Sequence, residues 1–254
     1  MMIFDSHAHY DDEAFEPDRD SLLSSLPEKG VSKAVNCGCD VTSSEKAIAL
    51  SEKFPFIYAA VGIHPENVDE CDDISAIERL TKHKKCVAIG EVGLDYHYTK
   101  ENKERQKEIF IAQIELSNRL GLPLIIHERD AYSDCLEILK AHTPKKAVMH
   151  CFSGNVESVR EVLKLGLYIG VGGTLTFKNN KKTVEMLPSV PLERLLFETD
   201  APYLSPEPMR GKRNDSSNIK YVAERAGLIL GKEADGLLKI TYDNAMKFFD
   251  IKEA

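Results

Sequence analysis

The chain has 254 residues and a formal net charge of −8, with 43% hydrophobic and 29% charged residues. This composition is typical of a soluble globular protein, and no apolar run approaches the ~20 residues needed to span a bilayer. The N-terminus lacks the basic start and apolar core of a secretory signal, so we expect a cytoplasmic protein. The acidic balance argues against nonspecific binding of long duplex nucleic acid.

Eight short apolar runs recur along the chain, and each predicts a buried strand. These strands are expected at 2–7, 33–38, 57–64, 86–93, 122–127, 146–151, 167–173 and 195–200. Segments with helical periodicity and helix-capping signals lie between or after them, at 18–30, 42–54, 101–121, 155–166, 181–190, 218–230 and 233–249. The segment at 42–54 is expected to begin from a Thr/Ser cap.

Strands that alternate with helices predict a parallel sheet covered by helices, which is an α/β fold. Eight such repeats in a chain of 254 residues suit a single (β/α)8 TIM barrel, and we expect one domain spanning 1–254. Strand counting alone leaves a doubly wound open sheet as the alternative. The chemically active residues favour the barrel, because only a closed barrel brings so many strand ends around one centre.

Six ionisable residues occur at the ends of predicted strands. His7 and His9 are separated by one residue, so both side chains are expected to point toward the barrel axis. Taken alone, this pair is equally well explained as hydrogen-bonded core histidines. Burying many polar groups costs several kcal/mol each unless they are paired or bind metal. We therefore predict a metal site formed by His7, His9, Glu91, His127, His150 and Asp200.

The composition of this set indicates the kind of metal centre. Imidazoles and carboxylates suit a divalent transition-type cation, and Mg is plausible where oxygen ligands and water dominate. Six ligands exceed what one closed tetrahedral site uses, so we expect two divalent metal ions, Mg, Mn or Zn. Glu91 is the expected bridge between them.

Three further residues are candidate substrate contacts. His64 precedes a proline at the end of the third predicted strand, and a substrate contact and a structural histidine explain it equally well. Arg129 could reach a phosphate or form an ion pair with the adjacent carboxylates. Arg210 lies in a basic turn after the eighth strand, where barrel enzymes often recognise phosphate, although an exposed turn is the alternative. The lysine-rich run at 178–182 is typical of a solvated loop.

The segments DSHAHYD, VGIHP, GEVGLDY, HERDA, HCFSG and ETDAPYLSP resemble those of the TatD-type metal-dependent deoxyribonucleases of the amidohydrolase superfamily. The resemblance extends from residue 5 to about residue 214. It implies a TIM barrel that hydrolyses phosphodiester bonds in DNA, often from an end of a single strand. It also implies one metal held by His7, His9 and Asp200, a second completed by His127 and His150, and Glu91 in contact with both. The chain departs from the pattern at 215–217, where Asp-Ser-Ser stands in place of an expected proline and leaves the loop shape open.

The expected reaction is attack on phosphorus by a metal-activated water whose proton Asp200 accepts or orients. Two alternatives stay open. The same centre could hydrolyse a carbonyl substrate such as a cyclic amide, a lactone or an aminoacyl ester, or the barrel could be a noncatalytic scaffold. The expected partner is DNA, with single-stranded ends as substrate and no obligatory protein partner.

Six cysteines are scattered along the chain without a CxxC pair, so we expect free thiols that serve packing, including Cys37 and Cys39 of a CxC. A monomer is expected, because the sequence shows no obvious exposed apolar stripe.

Overall fold

The computed structural model describes residues 2–97 and 101–252, and its strands form one eight-stranded sheet. The strands are β1 (Ile3–Ala8), β2 (Val31–Cys37), β3 (Ile57–Val61), β4 (Cys86–Asp95), β5 (Leu124–Arg129), β6 (Ala147–Met149), β7 (Tyr168–Val171) and β8 (Leu195–Phe197). Their spatial order follows the chain, and all neighbouring pairs are parallel. A doubly wound sheet would have a reversed strand order, so the prediction of a TIM barrel is confirmed.

Helices alternate with these strands. The described part of the chain contains α1 (Arg19–Ser25), α2 (Val41–Lys53), α3 (Ile74–Leu80), α4 (Lys103–Leu120), α5 (Tyr132–His142), α6 (Val156–Lys164), α7 (Lys181–Met186), α8 (Ile219–Leu230) and α9 (Ala234–Phe248). Each of the seven predicted helical segments overlaps one of them, whereas α3 and α5 were not predicted. The predicted Thr/Ser cap of α2 was wrong: Asp40 caps the helix by accepting a hydrogen bond from the Ser43 backbone N–H at 2.6 Å. An aspartate oxygen satisfies a free N–H of the first turn as a hydroxyl would.

The first and last strands are joined through the side chain of Asp5. Its carboxylate accepts hydrogen bonds from the Thr199 backbone N–H at 3.0 Å, the Thr199 hydroxyl at 2.5 Å and the Ser216 hydroxyl at 2.6 Å. Backbone bonds continue the seam beyond β8, from Asp200 N to His7 O at 3.0 Å and from His9 N to Ala201 O at 2.7 Å. The closure therefore brings the residues after β8 directly beside the end of β1.

The end of the barrel near the strand starts is filled by the last helix. Phe4 of β1 stacks on Phe249, with ring centroids 5.7 Å apart, and Tyr168 of β7 packs against Phe248 at 4.9 Å. These rings belong to an apolar cluster that collects residues of β1 to β8 and of α9. Because this end is packed with side chains, polar chemistry is confined to the opposite end of the barrel.

A change of face in β1 turns its histidines inward. Residues four apart in a regular strand share a face, yet Phe4 lies in the inner cluster and Ala8 in the outer one. The pairing of β1 with β2 shifts register between Asp5 and Ala8. Asp5 therefore faces its partners outside the barrel, while His7 and His9 point into the mouth as predicted.

Several strands end earlier than the apolar runs suggested. β3 ends at Val61, β6 at Met149 and β8 at Phe197, so His64, His150 and Asp200 lie on the segments that follow them and not on the strands. The backbone explains two of these ends, because Cys151 and Asp200 have φ of 44° and 58°, which an extended strand does not allow. The candidate residues follow their strands in the predicted order, but the predicted ends of β3, β6 and β8 were wrong.

The loop at 215–217 forms without the expected proline. Asp215 caps a short turn over Ser216–Asn218 by accepting a hydrogen bond from the Ser217 backbone N–H at 2.9 Å. The turn places the Ser216 hydroxyl on Asp5. The turn capped by Asp215 therefore contributes a hydrogen bond to the barrel seam at Asp5.

All six cysteines are free thiols, as expected. Across residues 2–97 and 101–252, no helix combines the length and the apolar character that crossing a membrane requires.

The packing of α9 predicts a stability effect. Phe248 is fully buried, and its truncation leaves a cavity among the rings at the closed end of the barrel. We expect Phe248→Ala to lower the free energy of unfolding by about 3–5 kcal/mol, measured by urea denaturation. Leu228→Ala is the control, because Leu228 is 80% exposed and its truncation should change stability by less than ~0.5 kcal/mol. Equal effects of the two substitutions would contradict this account of the closed end.

Candidate metal centre

Four ligand atoms meet at the open end of the barrel. His7 Nε2 lies 3.3 Å from Glu91 Oε2 and 3.5 Å from Asp200 Oδ1. His9 Nε2 lies 3.4 Å from each of the same two oxygens and 2.9 Å from His7 Nε2. Ligands about 2.0–2.1 Å from a tetrahedral cation are about 3.3–3.4 Å apart. The atoms therefore fit the shell of a divalent cation.

A second group surrounds the other oxygen of Glu91. His127 Nδ1 lies 2.9 Å from Glu91 Oε1, His150 Nε2 lies 3.4 Å from it, and His64 Nε2 lies 3.8 Å from it. Glu91 thus divides its two oxygens between two sets of imidazoles. This is the geometry of a carboxylate that could bridge two cations.

Glu91 is buried and stays ionised. Burial alone would raise its pKa, but the surrounding imidazoles, His7 first among them, hold the pKa well below its ordinary value. His64 has the opposite balance: burial lowers its pKa to about 3, against the smaller opposing effect of Glu91. The centre therefore combines a fixed negative charge with a neutral imidazole at its edge.

Cys37 at the end of β2 contacts His7 of β1 and His9, which directly follows β1. His9 Nδ1 lies 2.9 Å from the Cys37 carbonyl, which can only accept, so Nδ1 carries the proton and Nε2 offers its lone pair to the centre. The Cys37 thiol lies 3.4 Å from His7 Nδ1. This thiol serves packing, as predicted, and also contacts the back of a candidate ligand.

Asp95 orients His127. β4 continues to Asp95, whose Oδ2 lies 2.9 Å from His127 Nε2. Burial would lower the pKa of His127, but hydrogen bonds to Asp95 and Glu91 raise it to about 10. The ring is therefore held between two carboxylates, with Nδ1 directed at the centre.

Glu198 lies behind His150. Its Oε1 is 3.2 Å from His150 Nδ1 and also accepts a hydrogen bond from the Cys151 backbone N–H. Glu198 is 1% exposed, and its other oxygen has no hydrogen-bond partner among the described residues. The space it occupies exists because position 170 of β7 is glycine, where a Cβ would overlap the carboxylate.

Asp200 reaches the centre from a turn. Its φ of 58° is left-handed, a conformation that aspartate tolerates better than most residues. Its N–H donates to His7 O, and its carbonyl accepts from Tyr203 N at 2.8 Å. The turn places the carboxylate beside His7 and His9, with 17% of the side chain exposed.

A comparison with known proteins assigns the chain to a family. The model of the family described as TatD related DNase matches residues 4–250. The chain belongs to this family. A relative in Bacillus subtilis, named uncharacterized metal-dependent hydrolase YabD, is 42% identical over 98% of this chain and 100% of its own length. This TatD-family chain is thus a metal-dependent hydrolase, and its His, Glu and Asp cluster could bind the metal.

Two further TatD relatives are informative. A protein of Erwinia tasmaniensis named 3'-5' ssDNA/RNA exonuclease TatD is 32% identical over 98% of this chain and 100% of its own length. The crystal structure of YjjV, a TatD homologue of Escherichia coli, superposes with a TM-score of 0.90 at 29% identity, covering 98% of both chains. The resemblance seen in the sequence motifs is therefore confirmed across the whole barrel.

The structure brings together all six predicted ligands of this TatD-family protein, with His64 at their edge. Arg129 is exposed at the end of β5, opposite Asp95 in the strand register. Arg210 lies elsewhere: its guanidinium stacks on Phe177, 3.8 Å from the ring centroid. Sequence reasoning missed the three orienting residues Cys37, Asp95 and Glu198. Two of them were visible as acidic residues inside the GEVGLDY and ETDAPYLSP motifs.

The packing of Glu198 yields a prediction for this TatD-family site. An alanine at position 170 would place a Cβ 2.9 Å from Glu198 Cδ, so the carboxylate must leave its present position behind His150. Loss of a group that orients a metal-binding histidine typically weakens metal affinity by 10- to 100-fold. We expect Gly170→Ala to have an effect of that size when chelated protein is titrated with Mn²⁺ or Zn²⁺ in a calorimeter.

Gly236→Ala is the control, because no atom lies within 4 Å of a Cβ added on this helical glycine. Wild-type metal affinity in Gly170→Ala, with the fold intact by circular dichroism, would show that Glu198 does not orient His150.

Proposed function

We propose that this protein is a metal-dependent deoxyribonuclease that cleaves phosphodiester bonds at the ends of single-stranded DNA, within one domain spanning residues 1–254. The observation that carries the proposal is the division of Glu91 between two imidazole sets at the mouth of the barrel. Two-cation sites of this kind suit phosphoryl transfer, because they can stabilise both the attacking and the leaving oxygen. The name of the Erwinia relative supports the same substrate class.

We assign one divalent cation to His7, His9, Asp200 and Glu91 Oε2, and the other to His127, His150 and Glu91 Oε1. The donor atoms fit this assignment because His9 and His127 each give their second ring nitrogen to another acceptor. Bound at these positions, divalent cations would supply Lewis acidity toward phosphoryl oxygens and lower the pKa of water. Asp95 and Glu198, the two carboxylates behind the ligand set, hold the imidazoles of His127 and His150 in place for this task.

Asp200 is the candidate general base. Its side chain is 17% exposed, whereas that of Glu91 is 4% exposed, so water and substrate can reach it. It lies beside the imidazoles of His7 and His9, where an attacking water would be oriented. We propose that Asp200 takes the proton of that water.

His64 is a candidate donor to the substrate. Its Nδ1 accepts a hydrogen bond from the Glu66 backbone N–H at 3.2 Å, so the neutral ring carries its proton on Nε2. That nitrogen faces the centre, but it is 3.8 Å from Glu91 Oε1, which is too far for a hydrogen bond. The N–H is thus available to a phosphoryl oxygen of the substrate.

The function is tested by hydrolysis of end-labelled single-stranded DNA. We expect chelation to abolish cleavage, and added Mg²⁺, Mn²⁺ or Zn²⁺ to restore stepwise shortening from one end. Glu91→Ala should stay inactive with any metal, because both cation positions lose a ligand. Glu45→Ala, which removes an exposed carboxylate of α2, is the control and should match the wild type. No DNA cleavage by metal-loaded wild type, with turnover of a lactone or cyclic amide, would favour the carbonyl alternative.

The same assay examines the proton acceptor. Asp200→Asn keeps the shape of the side chain but removes its basicity, so we expect hydrolysis to fall at least ~100-fold. Metal content, measured by plasma mass spectrometry, separates loss of the base from loss of a ligand. Wild-type hydrolysis by a fully metallated Asp200→Asn protein would exclude this role.

The proposal for His64 predicts a different pattern. Loss of one preorganised donor to a developing charge costs roughly 100-fold in kcat, so His64→Ala should slow turnover by that factor while metal content stays at the wild-type level. His64→Gln should recover part of the rate, because its amide can donate. Loss of metal from His64→Ala would instead make His64 a ligand.

A further inference from the structure

We propose that a groove between the loops after β7 and β8 binds the nucleotides of a single strand that extend beyond the cleaved bond. This inference rests on the proposed function and adds a binding site to it. Thr174, Phe177, Lys178, Asn180, Glu207 and Arg210 line the groove, which has a volume of about 590 Å³. Ligand sites typically have volumes of about 300–1,000 Å³, so the space suits a nucleotide.

The groove begins beside the candidate metal centre. The loop that leaves β7 runs beside Glu198, which lies behind His150: a Cβ added at Gly172, two residues before Thr174, would lie 3.3 Å from the Glu198 carbonyl oxygen. Both walls are loops at the carboxyl ends of strands, which is the face on which barrel enzymes bind substrate. A strand cleaved at the centre can therefore continue into the groove without leaving this face.

The two walls are tied together before any ligand binds. The Glu207 backbone N–H donates to the Thr176 hydroxyl at 2.8 Å. Gly173 lies so close to the Leu204 carbonyl that a Cβ would overlap it. A preformed groove binds without the entropic cost of ordering its walls.

Arg210 and Phe177 provide the groups that would bind a base and a phosphate. The guanidinium lies 3.8 Å from the ring centroid, and Arg210 has no carboxylate at ion-pair distance among the described residues. By contrast, Arg213 of the same loop is paired with Asp18 at 2.7 Å. A guanidinium plane supported by an aromatic ring offers a stacking face to a base and N–H donors to a phosphate. Lys178, exposed on the opposite wall, adds a second cation.

The mixed charge of the groove favours a nucleotide over a simple anion. Glu207 lines the same space as Arg210 and Lys178, and its carboxylate would repel an isolated phosphate. The exocyclic amino group of a base can donate to such a carboxylate, while the backbone phosphate takes the cations. Base and phosphate together match the groove better than either does alone.

The test compares substrate lengths and binding. Fluorescence anisotropy of a labelled 12-nucleotide single strand, with chelated protein, measures binding without turnover. We expect Arg210→Ala and Phe177→Ala to weaken binding about tenfold each, and Arg210→Ala to reduce the slope of log K against log salt by about 0.7. With metal restored, the advantage of the 12-mer over bis(4-nitrophenyl) phosphate in kcat/KM should fall by the same factor.

Arg160→Ala is the matched control, because it removes the same charge from an exposed position on α6, and its binding should stay within twofold of the wild type. Wild-type affinity for the 12-mer in both groove variants, with the fold intact, would overturn the groove while cleavage by the wild type still supports the proposed function. Failure of the metal-loaded wild type to hydrolyse either phosphodiester would overturn the proposed function itself and the inference that rests on it.

Discussion

An ionised carboxylate at the centre of the barrel sets the arrangement of its surroundings. Glu91 is 3% exposed, and a charge removed from water costs several kcal/mol unless nearby groups compensate. Its two oxygens are met by ring nitrogens from β1, from β5 and from the segments after β3 and β6. Groups from so many parts of the sequence can converge on one side chain only because the sheet closes on itself. The seam at Asp5 is therefore a condition for the site as well as for the fold.

The same strands carry both the apolar interior and the polar mouth. At their beginnings, Phe4 packs against Phe249 and Tyr168 against Phe248, at the end of α9. Toward their ends the inward side chains are candidate ligands, and the imidazoles of His9, His127 and His150 are backed by a carbonyl or a carboxylate. Cys37 and Asp95 fix which ring nitrogen of His9 and His127 faces the centre, and Glu198 lies 3.2 Å behind the ring of His150. The packed end holds the short strands rigid, and the strands in turn hold the candidate ligands at their other end. Such groups must be positioned to within fractions of an ångström to function.

The sequence predicted the barrel because eight apolar runs recur with helical segments among them, and this pattern depends on local periodicity. It predicted the six candidate ligands because polar residues directly after apolar runs are conspicuous. It could not locate the strand ends, since the left-handed turns at Cys151 and Asp200 depend on bonds to distant segments. Nor could it identify Glu198 as an orienting group, because that role depends on Gly170, 28 positions earlier, leaving space for a carboxylate. Arg210 was predicted as a phosphate contact, but its pairing with Phe177 is a tertiary contact between loops.

Substrate choice must be decided outside the ligand set. Imidazoles and carboxylates around two cations can serve phosphorus and carbonyl chemistry alike, so the centre alone does not select a polyanion. The net charge of −8 opposes such a substrate at long range, but salt screens exposed charges separated by more than ~10 Å at 0.1 M ionic strength. Within that distance nearby charges matter more than the net charge. In the groove after β7 and β8, on the same face as the centre, Arg210 has no carboxylate at ion-pair distance among the described residues. Because strands carry the ligands and loops carry the groove, changes in these loops could alter substrate length preference without disturbing the metal centre.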